Sequence, residues 1–110
     1  MLKKEKRLSR SEINSLKSSS SQKKIIQGRF FGLIYQGNQL HGKFGLILSK
    51  KIASKATERN RIKRLLYCAI EDTLEKGKGY FLFLAKKCSV NGSEEEFKKE
   101  LEIFKNKLIT

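Results

Sequence analysis

The 110-residue sequence contains no proline and no tryptophan, and it has one histidine, two cysteines and one methionine. Without proline, nothing in the chain forces a helix to kink. Cys68 and Cys88 lie far apart and lack metal-ligand spacing, so they make neither a disulfide framework nor a zinc site. Both are expected to be buried or half-buried thiols in a reducing cytosol. His41, flanked by glycine in a turn-like stretch, is expected to be solvated rather than catalytic. Acid is scarce where base is dense: residues 13–57 contain no Asp or Glu. A protein-borne metal centre or acid–base pair therefore has little to build on in that half. No apolar run approaches the roughly 18 residues of a membrane span. The basic start, Met1 to Arg7, is followed by no apolar stretch, so a secretory signal is not expected.

What the chain does have is positive charge, unevenly placed. Its net charge is +14. Residues 1–66 hold 17 Lys and Arg against Glu5, Glu12 and Glu58, whereas residues 67–110 hold eight of each sign. The excess thus belongs to the first three fifths of the chain. A charge serving solubility alone would be spread more evenly; this asymmetry points to a polyanionic partner, nucleic acid first.

At this length the sequence predicts one domain, 1–110, with one modest core. Ser9 to Leu16 reads as a short helix, and the serine run makes residues 18–22 a flexible loop. Ile25-Ile26 is a short strand, Arg29 to Tyr35 a stronger one and Lys43 to Ser49 a third. The latter two are expected to form a hairpin around the turn region Gln36–Gly42. A basic connector, Lys50 to Ala56, carries Lys50, Lys51 and Lys55. Thr57 is then a plausible N-cap for a long helix ending near Gly77 or Gly79. Tyr80 to Ala85 is continuously apolar, as in a central strand buried on both faces. Asn91-Gly92 reads as a turn, and Ser93 with Glu96 makes a capping box. The last helix buries Phe97, Leu101, Phe104 and Leu108, and Glu100 and Glu102 are expected on its solvated side. The order is α-β-β-β-α-β-α, an α/β (α+β) sandwich with a βαβ unit over Lys43–Ala85.

The long helix opens with Glu58-Arg59-Asn60-Arg61-Ile62-Lys63-Arg64. Ile62, Leu65, Leu66, Ala69, Ile70, Thr73 and Leu74 form its apolar stripe. At about 100° per residue, Asn60, Lys63, Arg64 and Tyr67 fall opposite that stripe, with Arg61 beside them and Arg59 between the faces. A cationic ridge near the positive end of a helix suits phosphate oxygens.

Phe44-Gly45-Leu46-Ile47-Leu48-Ser49-Lys50-Lys51-Ile52, a short connector, then Arg59-Asn60-Arg61-Ile62-Lys63-Arg64-Leu65, resembles the protein subunit of bacterial ribonuclease P. Further similar features are Arg7-Leu8 before a short helix, Arg29 and Phe31 on an early strand, and Ala85-Lys86-Lys87 after the last strand. The resemblance implies a fold like that of the second domain of ribosomal protein S5, with a left-handed βαβ crossover against the usual hand. It implies a cytoplasmic, RNA-binding component of an endoribonuclease, partnered by a catalytic RNA subunit and by precursor tRNA. Catalysis and magnesium ions (Mg2+) would belong to the RNA, with no catalytic or metal-ligating residue in the protein. Arg59, Asn60, Arg61, Lys63 and Arg64 carry the RNA-binding signature over, with Lys50 and Lys51 matching; Lys55 lies in the same connector. Tyr67 and Cys68 depart from the pattern, and Tyr67 could stack on a base or ribose.

For the 5′ leader of the tRNA the resemblance implies a cleft. Ile13 stands where the family usually carries aromatics, and Lys87 follows the last strand. On the strand Arg29–Tyr35, alternation puts Phe30 and Ile34 on one face and Phe31, Leu33 and Tyr35 on the other. Register with the family sends Phe30 and Ile34 to the cleft; the alternative is that all five pack in the core. Two other functions fit parts of the sequence. A ribosomal or ribosome-assembly protein fits size and charge but leaves the Arg59–Arg64 run unexplained. A stand-alone metal-dependent nuclease would need acids near the basic face.

Overall fold

The computed structural model describes residues 7–18, 23–37, 42–73 and 79–109. Its elements are α1 (Arg10–Ser18), β1 (Lys23–Gln27), β2 (Phe31–Gln36), β3 (Gly42–Ile47), α2 (Ala56–Thr73), β4 (Gly79–Ala85), a 3₁₀ turn (Lys87–Asn91) and α3 (Glu94–Ile109). The order matches the one expected. Residues 19–22 of the expected serine loop, His41, Leu74 and Gly77 lie outside the described residues.

The strands form one sheet in the order β1-β2-β4-β3. β1–β2 and β2–β4 are antiparallel, and β3–β4 is parallel across the α2 crossover. The expected hairpin between the strands at Arg29–Tyr35 and Lys43–Ser49 is therefore not formed. The apolar strand β4 needs both faces and both edges covered, and it inserts between β2 and β3. The hairpin is instead β1–β2, closed by the Gly28 N–H donating to the Phe31 carbonyl at 2.9 Å.

Alternation along the strands divides the apolar residues between two faces. Phe31 and Leu33 on β2, Phe44 on β3 and Phe81 and Phe83 on β4 join Ile62, Leu66, Ala69 and Ile70 of α2 and Phe97, Leu101 and Phe104 of α3 in the main core. The Phe31 and Phe97 rings meet edge to face at 4.8 Å between centroids. Each such fully buried side chain stabilises the fold by roughly 1.5–3 kcal/mol. The opposite face holds a smaller cluster of Leu8, Ile34 and Leu82, with Ile13 of α1 packed against it. The result is three layers: α2 and α3, the sheet, and α1.

Caps fix where two helices begin. The Ser93 N–H donates to Glu96 Oε1 (3.2 Å) and the Glu96 N–H to Ser93 Oγ (3.3 Å), the reciprocal capping box expected before α3. Ser9 and Glu12 make the same pair before α1, at 2.9 and 3.2 Å. α2 departs from expectation. Its first helical bond runs from the Arg59 N–H to the Lys55 carbonyl at 3.1 Å, so Lys55 holds the cap position and Thr57 lies inside the first turn. The Ile52 and Ala53 N–H groups both donate to the Ser49 carbonyl, and Ala53 is buried. That tight turn delivers the chain to the helix two residues early.

Two surface expectations are also corrected. Glu100 is buried, and its carboxylate accepts the N–H groups of Arg29, Phe30 (3.0 Å to Oε2) and Phe31 (2.9 Å). It clamps α3 onto the β1–β2 turn, and a Cβ at Gly28 would stand 2.6 Å from its carboxyl carbon. Cys88 is exposed, because the 3₁₀ turn buries Ser89 instead; Cys68 is half-buried.

Candidate nucleic-acid interface

The N-terminal half of α2 places Asn60, Lys63 and Arg64 on its exposed side, as the spacing predicts. Tyr67 does not join them. It is 5% exposed and belongs to the main core, because α2 lies over β3 and turns this position down against the strand. Burial pushes its phenol up, partly offset by the charge of Arg7. The Arg7 guanidinium lies 5.7 Å and the Lys63 ammonium 5.8 Å from the ring centroid. The ring thus supports cations rather than offering a free face for stacking.

Arg59, Asn60, Lys63 and Tyr67 of α2 line a groove of about 210 Å³ with Leu46 and Leu48 of the β3 segment. Cations and an amide thus rim an apolar floor. The two leucines are functional candidates that the charge pattern could not reveal, since as strand residues they read simply as core.

The signature arginines differ in what they touch. Arg59 Nη1 donates to the carbonyls of Ala53 and Ser54, at 2.9 Å each, and fixes the connector before the helix. Arg61 donates to the carbonyls of Val90 and Gly92, at 3.1 Å each, and ties α2 to the segment leading into α3. Lys50, Lys51 and Lys55 are exposed along the connector.

Of the residues expected at a leader cleft, Ile13 and Ile34 meet in one cluster, whereas Phe30 lies apart from them in the main core. Ile34 is buried 8% exposed beneath the α1 segment, and Ile13 is half-buried against the same cluster. Lys87 is exposed beyond β4. Phe30 does not share the face of Ile34. It precedes β2 in a bend, so strand alternation does not apply to it, and its ring packs on Phe97 in the main core at 5.4 Å.

One polar cluster ties α1 to this face. Lys43 Nζ reaches Glu12 Oε2 at 3.0 Å, and Lys43 pairs in register with Tyr80. Burial works against ionising Glu12. Donation from the Ser9 N–H, Lys43, the Ser9 hydroxyl and Tyr80 outweighs it and holds the carboxyl at about 2 rather than 4.5. The Tyr80 phenol is raised, chiefly because its proton is held by Glu12.

Known proteins resemble this chain as follows. A family model described as Ribonuclease P matches residues 2–108. A Bacillus mycoides (strain KBAB4) protein named ribonuclease P protein component is 37% identical over 70 residues, 61% of this chain and 60% of that protein. A protein of the same name from Legionella pneumophila (strain Corby) is 48% identical over 46 residues, 42% of this chain and 40% of that one. The matched stretches span less than two thirds of either relative. Among solved structures, the Staphylococcus aureus RNase P protein superposes with a TM-score of 0.75 at 17% identity, over 94% of each chain. The RNase P protein from Thermotoga maritima gives 0.69 at 20% identity, over 89% of this chain and 93% of that one. At these identities the structural likeness shows the fold.

Proposed function

The chain belongs to the ribonuclease P protein family, and from that footing we propose that it is the RNA-binding subunit of a cytoplasmic ribonuclease P. It assists a catalytic RNA in the endonucleolytic removal of the 5′ leader from precursor tRNA. The observation that carries this reading is the exposed Asn60-Lys63-Arg64 surface of α2 in a chain that matches the family model over nearly its whole length.

In this reading the α2 surface and the connector lysines bind phosphates of the RNA subunit, and counterion release supplies much of the affinity. The groove over Leu46 and Leu48 lets an RNA backbone approach β3 while Asn60 offers an amide to a base edge. Arg59 and Arg61 act in part by holding the connector and the 3₁₀ segment in place beside that surface. The sheet face near Ile34 and Ile13, with Lys87 at its end, holds the leader. Neutralising RNA–RNA repulsion raises substrate affinity and lowers the magnesium requirement. In this reading magnesium belongs to the RNA, and no step is given to a protein-bound ion.

The test is cleavage of a precursor tRNA at low magnesium by a bacterial ribonuclease P RNA, with and without the protein, beside the protein alone. Stimulation only in the combined reaction is the expected result. Tight RNA binding without stimulation would favour a ribosomal or assembly role. Cleavage by the protein alone would place catalysis in the protein.

A further inference from the structure

The sheet face toward α1 carries its side chains in rows across the strands. Ile25 pairs with Ile34, Ile34 with Leu82, and Leu82 with Gly45. Leu8 covers one end of this row: a Cβ at Gly45 would stand 3.1 Å from Leu8 Cδ1. Exposure then rises along the row, from 0% at Leu82 through 8% at Ile34 to 58% at Ile25. Among the described residues only Ile25 and Ile103 are exposed large hydrophobics, and Ile103 lies on α3. The apolar row therefore runs out from beneath the α1 segment into solvent.

The next row is Gln27, Gly32, Leu84 and Ile47. Gly32 leaves a gap in it, and the exposed Gln27 reaches across. Its Oε1 lies 3.2 Å from where a Cβ at Gly32 would stand. A carboxamide thus lies on the sheet beside Ile25 and the half-buried Leu84. β1, β2 and β3 contribute no acid to this face, since residues 13–57 contain none. The nearby carboxylate, Glu12, is paired with Lys43. Arg29 and Lys87 are exposed at the end of the sheet where Gln27 stands.

We infer that Ile25 and Gln27 extend the leader cleft beyond Ile34. An unstacked base there lies against Ile25, and the Gln27 amide hydrogen-bonds its edge. The inference rests on the leader reading proposed above. Single-stranded RNA suits this strip because each base has an apolar face and a hydrogen-bonding edge, while among the described residues its phosphates meet cations and no unpaired anion. The Gln27 amide offers both a donor and an acceptor, so it favours some bases over others.

The test measures substrate affinity of the reconstituted holoenzyme for precursor tRNAs whose leaders are lengthened one nucleotide at a time. The variants are Ile25→Thr, which keeps a β-branched residue in the strand, Gln27→Ala and Ile34→Ala. Ile25→Thr and Gln27→Ala should each weaken binding by about three- to tenfold, the size of one good contact. That loss should appear only once the leader passes the length at which Ile34→Ala already acts. Gln27→Ala should also flatten the preference for the base at one leader position. Losses at every leader length, or a weakened grip on the RNA subunit, would overturn the inference. So would unchanged affinity while Ile34→Ala still acts; in that case the leader reading stands and a protein partner becomes the occupant to seek. If leader length changes nothing in the unmodified holoenzyme, the leader reading itself fails.

Discussion

Arg61 and Arg64 stand nearly one turn apart on α2, yet their surroundings divide their work. Arg61 donates to the carbonyls of Val90 and Gly92, whereas Arg64 is an exposed cation on the same helix. Arg64→Ala should melt like the unmodified protein and lower the log–log salt slope of RNA-subunit binding by about 0.7–0.9, one phosphate contact. Arg61→Ala should lower the slope and also lose on the order of 1 kcal/mol of stability, because two carbonyls lose their charged donor. Thermal melts beside salt titrations separate the two. Glu100 shows the same logic in the core. Its carboxylate accepts three consecutive backbone N–H groups, so Glu100→Ala should cost roughly 2–4 kcal/mol in a urea melt, with Glu100→Gln costing less. The sequence offers a weak hint of this burial. At 100° per residue Glu100 lies about 60° from Phe97 on α3, at the edge of the apolar stripe rather than opposite it. What periodicity could not show is that Arg29-Phe30-Phe31 would present bare N–H groups to it, since that depends on a hairpin about 70 residues away in sequence. Tyr67 has the same origin. Its angle on the helix was readable, but how far β3 reaches beneath α2 was not.

At the scale of elements, the attachment of α1 rests on contacts that can be named one by one. The Leu8 N–H donates to the Phe44 carbonyl at 2.8 Å, Leu8 and Ile13 pack on the sheet, and Glu12 meets Lys43 and Tyr80. Glu12 titrates at about 2 in the fold against 4.5 for a free carboxyl. A lowered carboxyl stabilises the folded form above its unfolded value and loses that contribution as the pH falls through the folded one. The attachment of α1 should thus be complete above about pH 5 and loosen between pH 4.5 and 2, by on the order of 1–2 kcal/mol after solvent screening. Hydrogen exchange at the Leu8 N–H follows this directly. Glu12→Gln should flatten the acid dependence and let the Tyr80 phenol ionise at lower pH, read by ultraviolet titration. Element existence was legible here: both helix caps with a Ser-x-x-Glu pattern form, and the continuously apolar β4 is central. Pairing was not. Nothing local in β2 or β3 states that a strand more than thirty residues later in sequence will separate them, so the nearest neighbour in sequence looked like the partner.

For the whole molecule, the division of charge maps onto a division of tasks. In the charge-balanced C-terminal part, Lys98 bridges Asp72 at 2.6 Å and Glu94 at 3.6 Å. Among the described residues of the basic part, exposed cations stand on α1, β1, the β1–β2 turn, the connector and α2. The sheet then separates the two surfaces proposed to meet RNA: the α2–β3 groove above it and the α1 face below. Residues in the two differ by strand parity, Leu46 facing the groove and Ile47 the other side, with the backbone of one strand between them. Separate surfaces on a packed sheet should act independently. Arg64→Ala should weaken holoenzyme assembly equally whatever substrate is present, and Ile34→Ala should weaken binding only of leader-bearing substrates. Combined, their free-energy effects on the ternary complex should add within about 0.5 kcal/mol, the usual agreement for residues without shared partners. A larger coupling, measured by a double-mutant cycle on substrate affinity, would mean that RNA docking on α2 moves β3 and β4. It would then reset the leader face through the sheet, making the protein a mechanical link between its two RNA partners rather than a rigid bridge.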